Sequence, residues 1–161
     1  MRVDGDEPRS KAEIDALTAA FFQVVSFDEG ERPAYSRLYD LFIESGQIIK
    51  NSGPSPEIST VQRFIEPRQR TVDAGDLTQF RESETAEITA IFGNVAHRLS
   101  IYEKHGVSAG TAIDGRGVIS IQFIATDSGW KISSMVWDDE RPGLTLPERY
   151  QRLPMTANDT L

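Results

Sequence analysis

The chain has 161 residues, with 25 acidic against 17 basic side chains and a formal charge of −8. That length suits one domain with one core, and the negative balance disfavours a phosphate-backbone partner, so no nucleic acid is expected. The absence of cysteine excludes disulfides, thiol chemistry, iron–sulfur clusters and cysteine zinc sites.

The first eight residues are polar and acidic and lack the apolar run of a secretory signal. No stretch approaches the roughly 20 apolar residues that span a bilayer. A cytoplasmic location with no membrane partner is the resulting expectation. Residues 1–9 read as a flexible N-terminus, 10–140 as the domain and 141–161 as a C-terminal tail. Ser10-Lys11-Ala12-Glu13 has the form of a capping box, and Ile14, Leu17, Phe21, Val24 and Val25 then recur at helical spacing. Gly30 is the expected end of that helix. Pro33 suits the first turn of a second helix, with Tyr35, Leu38, Tyr39 and Phe42 on one face.

A short strand is expected over 46–50, then a loop through Pro54 and Pro56. Ser59-Thr60-Val61-Gln62 reads as a second capping box, opening a helix whose apolar face is Val61, Phe64 and Ile65. Pro67 is expected to break or kink it, and Gly75 to close the segment. Arg63, Arg68 and Arg70 are the densest basic group and read as a solvated helix face. From residue 77 the period becomes extended. Strands are expected over 78–92, 95–104, 116–126 and 130–138, with tight turns at Gly93-Asn94 and Asp127-Ser128-Gly129. The segment from Gly106 to Gly115 reads as a longer connection. Short turns make consecutive strands antiparallel neighbours. The last two strands are apolar on both faces, with Met135 and Trp137 opposite Trp130, Ile132 and Val136, so cover is expected on both sides. Leu144, Leu146 and Tyr150 are the tail residues expected to lie over the domain.

The series Phe92-Gly93-Asn94-Val95-Ala96-His97, Ser100-Ile101-Tyr102-Glu103, Gly115 to Gln122, Gly129-Trp130-Lys131-Ile132 and Val136-Trp137-Asp138-Asp139-Glu140 resembles the nuclear transport factor 2-like superfamily. The branch is that of small bacterial proteins with a SnoaL-like or ketosteroid isomerase-like cone. The resemblance implies an α+β fold: N-terminal helices packed on a strongly curved antiparallel sheet, forming an open, cystatin-like cone. It further implies a pocket between sheet and helices, and a homodimer through the outer sheet face. The superfamily hosts isomerases, dehydratases, cyclases and many proteins without assigned activity, so fold does not select function.

Chemistry of this kind needs an acid or base in an apolar pocket. His97 shares a strand face with Leu99 and Ile101 and is the candidate general base; a local hydrogen bond or a subunit interface is its structural alternative. Ser100 and Tyr102 share the opposite face, as Ser120 and Gln122 share a face of their own strand. Tyr102 can donate to a ligand carbonyl and Gln122 can orient a ligand; cross-strand polar pairing explains them equally well. Phe21, Tyr35 and Tyr39 are the helix-side pocket candidates. Glu82 and Glu84 share a face and read as either a coupled carboxylate pair or a solvated strand end. Asp138-Asp139-Glu140 alternates in direction and does not form a metal ligand set. Gly110 to Gly117 lacks the Gly-Lys-Ser/Thr ending of a phosphate loop. No cofactor and no metal are expected. The leading functional expectation is a dimeric pocket protein for a small, mainly apolar organic molecule. The alternatives are a cofactor-free isomerase, dehydratase or cyclase, and a protein-interaction module whose pocket is closed.

Overall fold

The computed structural model describes residues 7–151. In chain order these form α1 (Glu7–Val25), a 3₁₀ turn (Tyr35–Arg37), α2 (Leu38–Leu41), β1 (Phe42–Lys50), β2 (Glu57–Thr60), α3 (Val61–Asp73), β3 (Leu77–Phe92), β4 (Val95–Ser108), β5 (Thr111–Thr126), β6 (Gly129–Asp139) and α4 (Glu148–Gln151). The six strands form one open sheet in the order β2-β1-β6-β5-β4-β3. The long meander β3 to β6 is antiparallel throughout. β1 joins it in parallel beside β6 and carries β2 antiparallel on its far side. A parallel neighbour needs a long crossover, and residues 51–128 supply it. β6 is thereby enclosed by strands on both edges, which explains why the last strand is so apolar. Helices α1 and α3 cover one face, giving the α+β cone.

α1 begins at Glu7, so Ser10 lies inside its first turns and does not cap it; Pro8 fits the opening turn without needing an N–H partner. The buried stripe is Ile14, Thr18, Phe21, Phe22, Val24 and Val25. The helix stops at Val25, five residues before Gly30. Phe27 leaves it as an extended residue whose backbone pairs with Phe80 at 2.7 and 3.0 Å, and its ring is buried. Gly30 serves the following turn at φ +83°. The segment after Pro33 is one 3₁₀ turn and a four-residue helix. Tyr35 and Leu38 are buried, whereas Tyr39 is 54% exposed. α-Helical spacing puts Tyr35 and Tyr39 on one face, but the tighter 3₁₀ turn over Tyr35–Arg37 rotates Tyr39 outward.

Thr60, one residue later than Ser59, caps α3: its Oγ1 accepts from the Arg63 N–H at 3.2 Å. The helix runs through Pro67 without a break to Asp73. The residues expected to connect β4 and β5 are mostly strand, because Gly106 pairs with Ile113 and the turn is only Ala109-Gly110.

Two irregularities set which residues face the helices. β3 has a register shift between Glu84 and Ala86, and β6 has one opposite Gln122 and Phe123 that leaves Ser133 unpaired. Each inserts one residue and reverses the side-chain alternation beyond it. Trp130 and Ile132 before the bulge, and Met135 and Trp137 after it, therefore share the inner face; Met135 is fully buried. The expected opposition of Met135 and Trp137 to Trp130 and Ile132 is corrected by that single residue. On the outer face, Ala86 and Ile101 form a second apolar cluster with Leu146, flanked by Leu99, Val118 and Tyr150. The tail is held there by a Glu140 carboxylate that accepts from the Leu146 N–H at 2.7 Å and pairs with Arg116. Leu144 stays exposed. The first six and last ten residues, which belong to the expected flexible N-terminus and C-terminal tail, lie outside the described residues.

Candidate functional site

A cavity of about 170 Å³ opens between the helices and the inner sheet face. α1 contributes Phe21 and Val25, the 3₁₀ turn Tyr35, and α3 Phe64 and Arg68. The sheet contributes Lys50, Leu77, Phe80, Glu82, Lys104, Ile119 and Trp137. The rings of Phe64 and Trp137 meet edge to face, with centroids 6.2 Å apart and planes at 89°. Most of the wall is thus apolar, with four charged side chains at defined places.

Glu82 is set by backbone contacts on both sides. Ser26 Oγ accepts from the Glu82 N–H at 3.0 Å and donates to the Phe22 carbonyl at 2.6 Å, tying the end of α1 to β3. Strand alternation places Phe80 and Glu82 on the inner face and leaves Arg81 outside, paired with Asp28. Burial pushes the Glu82 carboxyl up to about 7; Lys104 and Arg68 oppose that rise and Asp139 adds to it. Desolvation outweighs the two nearby cations, so this carboxyl exchanges its proton near neutrality.

Lys104 Nζ lies 2.9 Å from one Asp139 oxygen, and the Tyr102 hydroxyl donates to the other. Burial, and then that hydrogen bond, push the Tyr102 phenol well above its ordinary range. Tyr102 is fully buried, and its proton is committed to Asp139. Contrary to the sequence expectation it is not one of the cavity-lining side chains, and it is no free donor to a ligand. Gly117, paired with Tyr102 across the β4–β5 ladder, makes room for that phenol: a Cβ there would overlap the Tyr102 hydroxyl and the Asp138 carbonyl oxygen. Arg68 lies flat on Phe64, 3.6 Å above the ring centroid, and donates to the Phe64 carbonyl at 3.1 Å.

Away from the cavity, the inner face holds a satisfied ionic cluster. Arg98 is 2% exposed and grips Glu84 with two bonds of 2.6 and 3.0 Å. It also donates to Asp15 of α1 at 2.7 Å, and Ser100 Oγ donates to Glu84 at 2.5 Å. Ser100 and Glu84 are therefore spent on fixing α1 to the sheet.

Of the residues expected from the sequence, Phe21 and Tyr35 line the cavity. His97 and Gln122 are exposed on the outer face, where they are cross-strand partners, so neither reaches the cavity. Strand alternation makes His97 and Arg98 point oppositely, and Arg98 is the buried one. Tyr39 is exposed as well. Of the charged members of the site, the sequence offers Glu82 as half of a coupled carboxylate pair with Glu84 or as a solvated strand end and Arg68 as part of a solvated helix face, and it does not single out Lys104 or Lys50. Phe80 two residues before Glu82, and Tyr102 two before Lys104, are the same-face signals that point to Glu82 and Lys104. Among the described residues no group of three His, Asp or Glu side chains could hold a metal ion.

No family model matches the chain, and no curated protein matches it. Solved structures do. A nuclear transport factor 2-like superfamily protein from Salmonella enterica serovar Typhimurium superposes with a TM-score of 0.67 at 15% identity, covering 83% of this chain and 93% of that one. A protein of Novosphingobium aromaticivorans, provisionally named an aromatic ring hydroxylase, gives 0.67 at 18% identity over 84% and 92%. An NTF2-like protein with a cystatin-like fold from the same organism gives 0.60 at 14% identity over 81% and 82%. The chain has the NTF2-like fold in its cystatin-like form. At these identities the likeness concerns the fold alone.

Proposed function

We propose that this NTF2-like protein is a homodimeric carrier or receptor of a small, mainly apolar organic molecule held in the cavity between α1, α3 and the sheet. The observation that supports it best is the cavity itself: an open space of about 170 Å³ with Phe21, Phe64, Phe80 and Trp137 in its wall. That volume is close to the roughly 150 Å³ of an engineered apolar cavity that takes up benzene. The occupant is therefore about one ring in size. An open cavity speaks against the alternative of an interaction module with its pocket closed by its own side chains.

A second reading, cofactor-free acid–base catalysis of the isomerase, dehydratase or cyclase kind, draws support from Glu82. A carboxyl that titrates near 7 inside an apolar cavity is suited to take up and return a proton at neutral pH. In that reading Glu82 replaces His97 as the candidate base.

Titration of monocyclic aromatic compounds into the full chain, followed by ¹H–¹⁵N NMR, tests the proposal. Saturable shifts confined to residues around Phe21, Phe64 and Trp137 are expected, and Phe64→Ala should weaken them about tenfold or more. An absence of saturable shifts for any such compound at millimolar concentration would overturn it.

A further inference from the structure

We propose that the cavity is built for an aromatic monocarboxylate, a single ring whose carboxylate is received by the Arg68 guanidinium. This rests on the small-molecule reading of the same cavity and names the class of molecule.

The inference starts from the charges. Arg98, the other arginine on the inner side, spends its donors on Glu84 and Asp15, and Lys104 is paired with Asp139. Arg68 has no carboxylate within 4 Å among the described residues, Glu57 and Glu82 acting on it only from a greater distance, and its hydrogen bond goes to the Phe64 carbonyl. A guanidinium carries five N–H donors in a planar fork matched to a carboxylate. A half-buried arginine with most of that capacity unspent is costly unless an anion supplies the rest. Lys50, also in the wall, adds a second cation without a carboxylate partner among the described residues.

The remaining walls specify the body of the ligand. Arg68 stacks on Phe64, and Phe64 meets Trp137, so an anion at the fork projects its apolar part toward the aromatic wall. The volume admits one ring and a small substituent. A planar ring gains offset or edge contacts with Phe64 and Trp137 that an alkyl chain does not.

Glu82 adds a dependence on pH. The groups facing it are Arg68 from α3, Lys104 from β4 and Asp139 from β6, with Lys50 and Tyr35 also in the cavity wall. Below about pH 7 its carboxyl holds a proton and can donate to the ligand's carboxylate. Above that it is a second negative charge in the same cavity. Affinity for an anion therefore falls as pH rises through neutrality.

The test is calorimetric titration of the full chain with benzoate, benzamide and phenyl phosphate at about pH 6 and about pH 8. Benzoate should bind at pH 6 at least about tenfold more tightly than benzamide, a neutral molecule of the same shape. It should lose about tenfold by pH 8, and Glu82→Gln should flatten that loss. Arg68→Gln should cost benzoate about tenfold or more and benzamide less than about threefold. Arg68→Lys, which keeps the charge and removes the fork, serves if the Gln variant fails to fold, and should also lose benzoate affinity. Preference for phenyl phosphate over benzoate would overturn the carboxylate assignment. Benzamide binding as tightly as benzoate would overturn the anion site while leaving the small-molecule proposal intact. Binding of none of the three up to about 10 mM would remove the basis of both.

Discussion

At Glu82, burial and proton affinity are linked to stability. The carboxyl titrates at about 7 in the folded protein against an ordinary 4.5, so the folded state holds the proton more tightly than the unfolded chain does. That stability is complete below about pH 4.5 and is lost as pH rises through 7. A displacement of this size corresponds to at most about 3 kcal/mol. Glu82→Gln should therefore raise unfolding free energy by up to about 3 kcal/mol at pH 8 and change it by less than about 1 kcal/mol at pH 4, read from urea midpoints. Equal effects at both pH values would refute the buried-carboxyl account. Arg98 is the opposite case, a buried charge that is fully paired. Arg98→Met strands Glu84 without its partner and should destabilise by about 3–5 kcal/mol. Adding Glu84→Gln to that variant should recover part of the loss, because the remaining group no longer carries charge. A double variant no more stable than the single one would contradict the pairing.

Among the elements, β6 carries the most consequence per residue. It lies between β1 and β5, and the extra residue at Ser133 keeps Trp130, Ile132, Met135 and Trp137 on one face. Deleting Ser133 restores regular alternation and forces one half of that set outward. The expected outcome is loss of the sharp urea transition together with strong binding of a hydrophobic dye. A variant that still unfolds cooperatively, with unchanged Trp fluorescence, would show that the bulge is not what orients Trp137. A parallel case is β3, where the shift beside Thr85 lets Glu82 and Glu84 face inward on one side of it and Glu87 and Ile91 on the other.

For the whole molecule the open question is what covers the outer sheet face. The tail covers one end, through Leu146 and Tyr150 against Ala86 and Ile101. At the other end Ile88, Phe92 and Val95 are exposed, Phe92 by 86%. An apolar group of that kind on a sheet face favours a second copy. Met135 and Trp137 face the core and contribute nothing to that surface, so the proposed dimer rests on Ile88, Phe92 and Val95. Light scattering after size exclusion should give twice the chain mass at micromolar concentration. Phe92→Glu with Ile88→Glu should give the monomer with secondary structure retained. A monomeric parent would sink the proposal.

The chain determined by itself whatever depends on short-range pattern: an N-terminal helix with its apolar stripe, a change of period near residue 77, and long strands joined by tight turns at Gly93-Asn94 and near Gly129. Hydrophobic spacing and turn chemistry act within a few residues, and those features were legible for that reason. Phe21 was legible as a cavity residue on the same ground, since it sits in the middle of the α1 stripe. The tertiary structure decided the rest. It ended α1 at Val25 through the backbone pairing of Phe27 with Phe80, a partner 53 residues away from Phe27 that no local propensity encodes. It inserted β6 beside β1 in parallel. It also chose which strand face looks inward, which alternation alone leaves open; that choice put Arg98, Ser100 and Tyr102 inside and His97 and Gln122 outside. Bulges then moved Trp137 into the cavity wall. Glu82 and Arg68 resemble ordinary surface charges in sequence, and only the packing of α3 over the start of β3 turns them into facing members of one site, where desolvation gives each a chemistry its sequence neighbours do not announce.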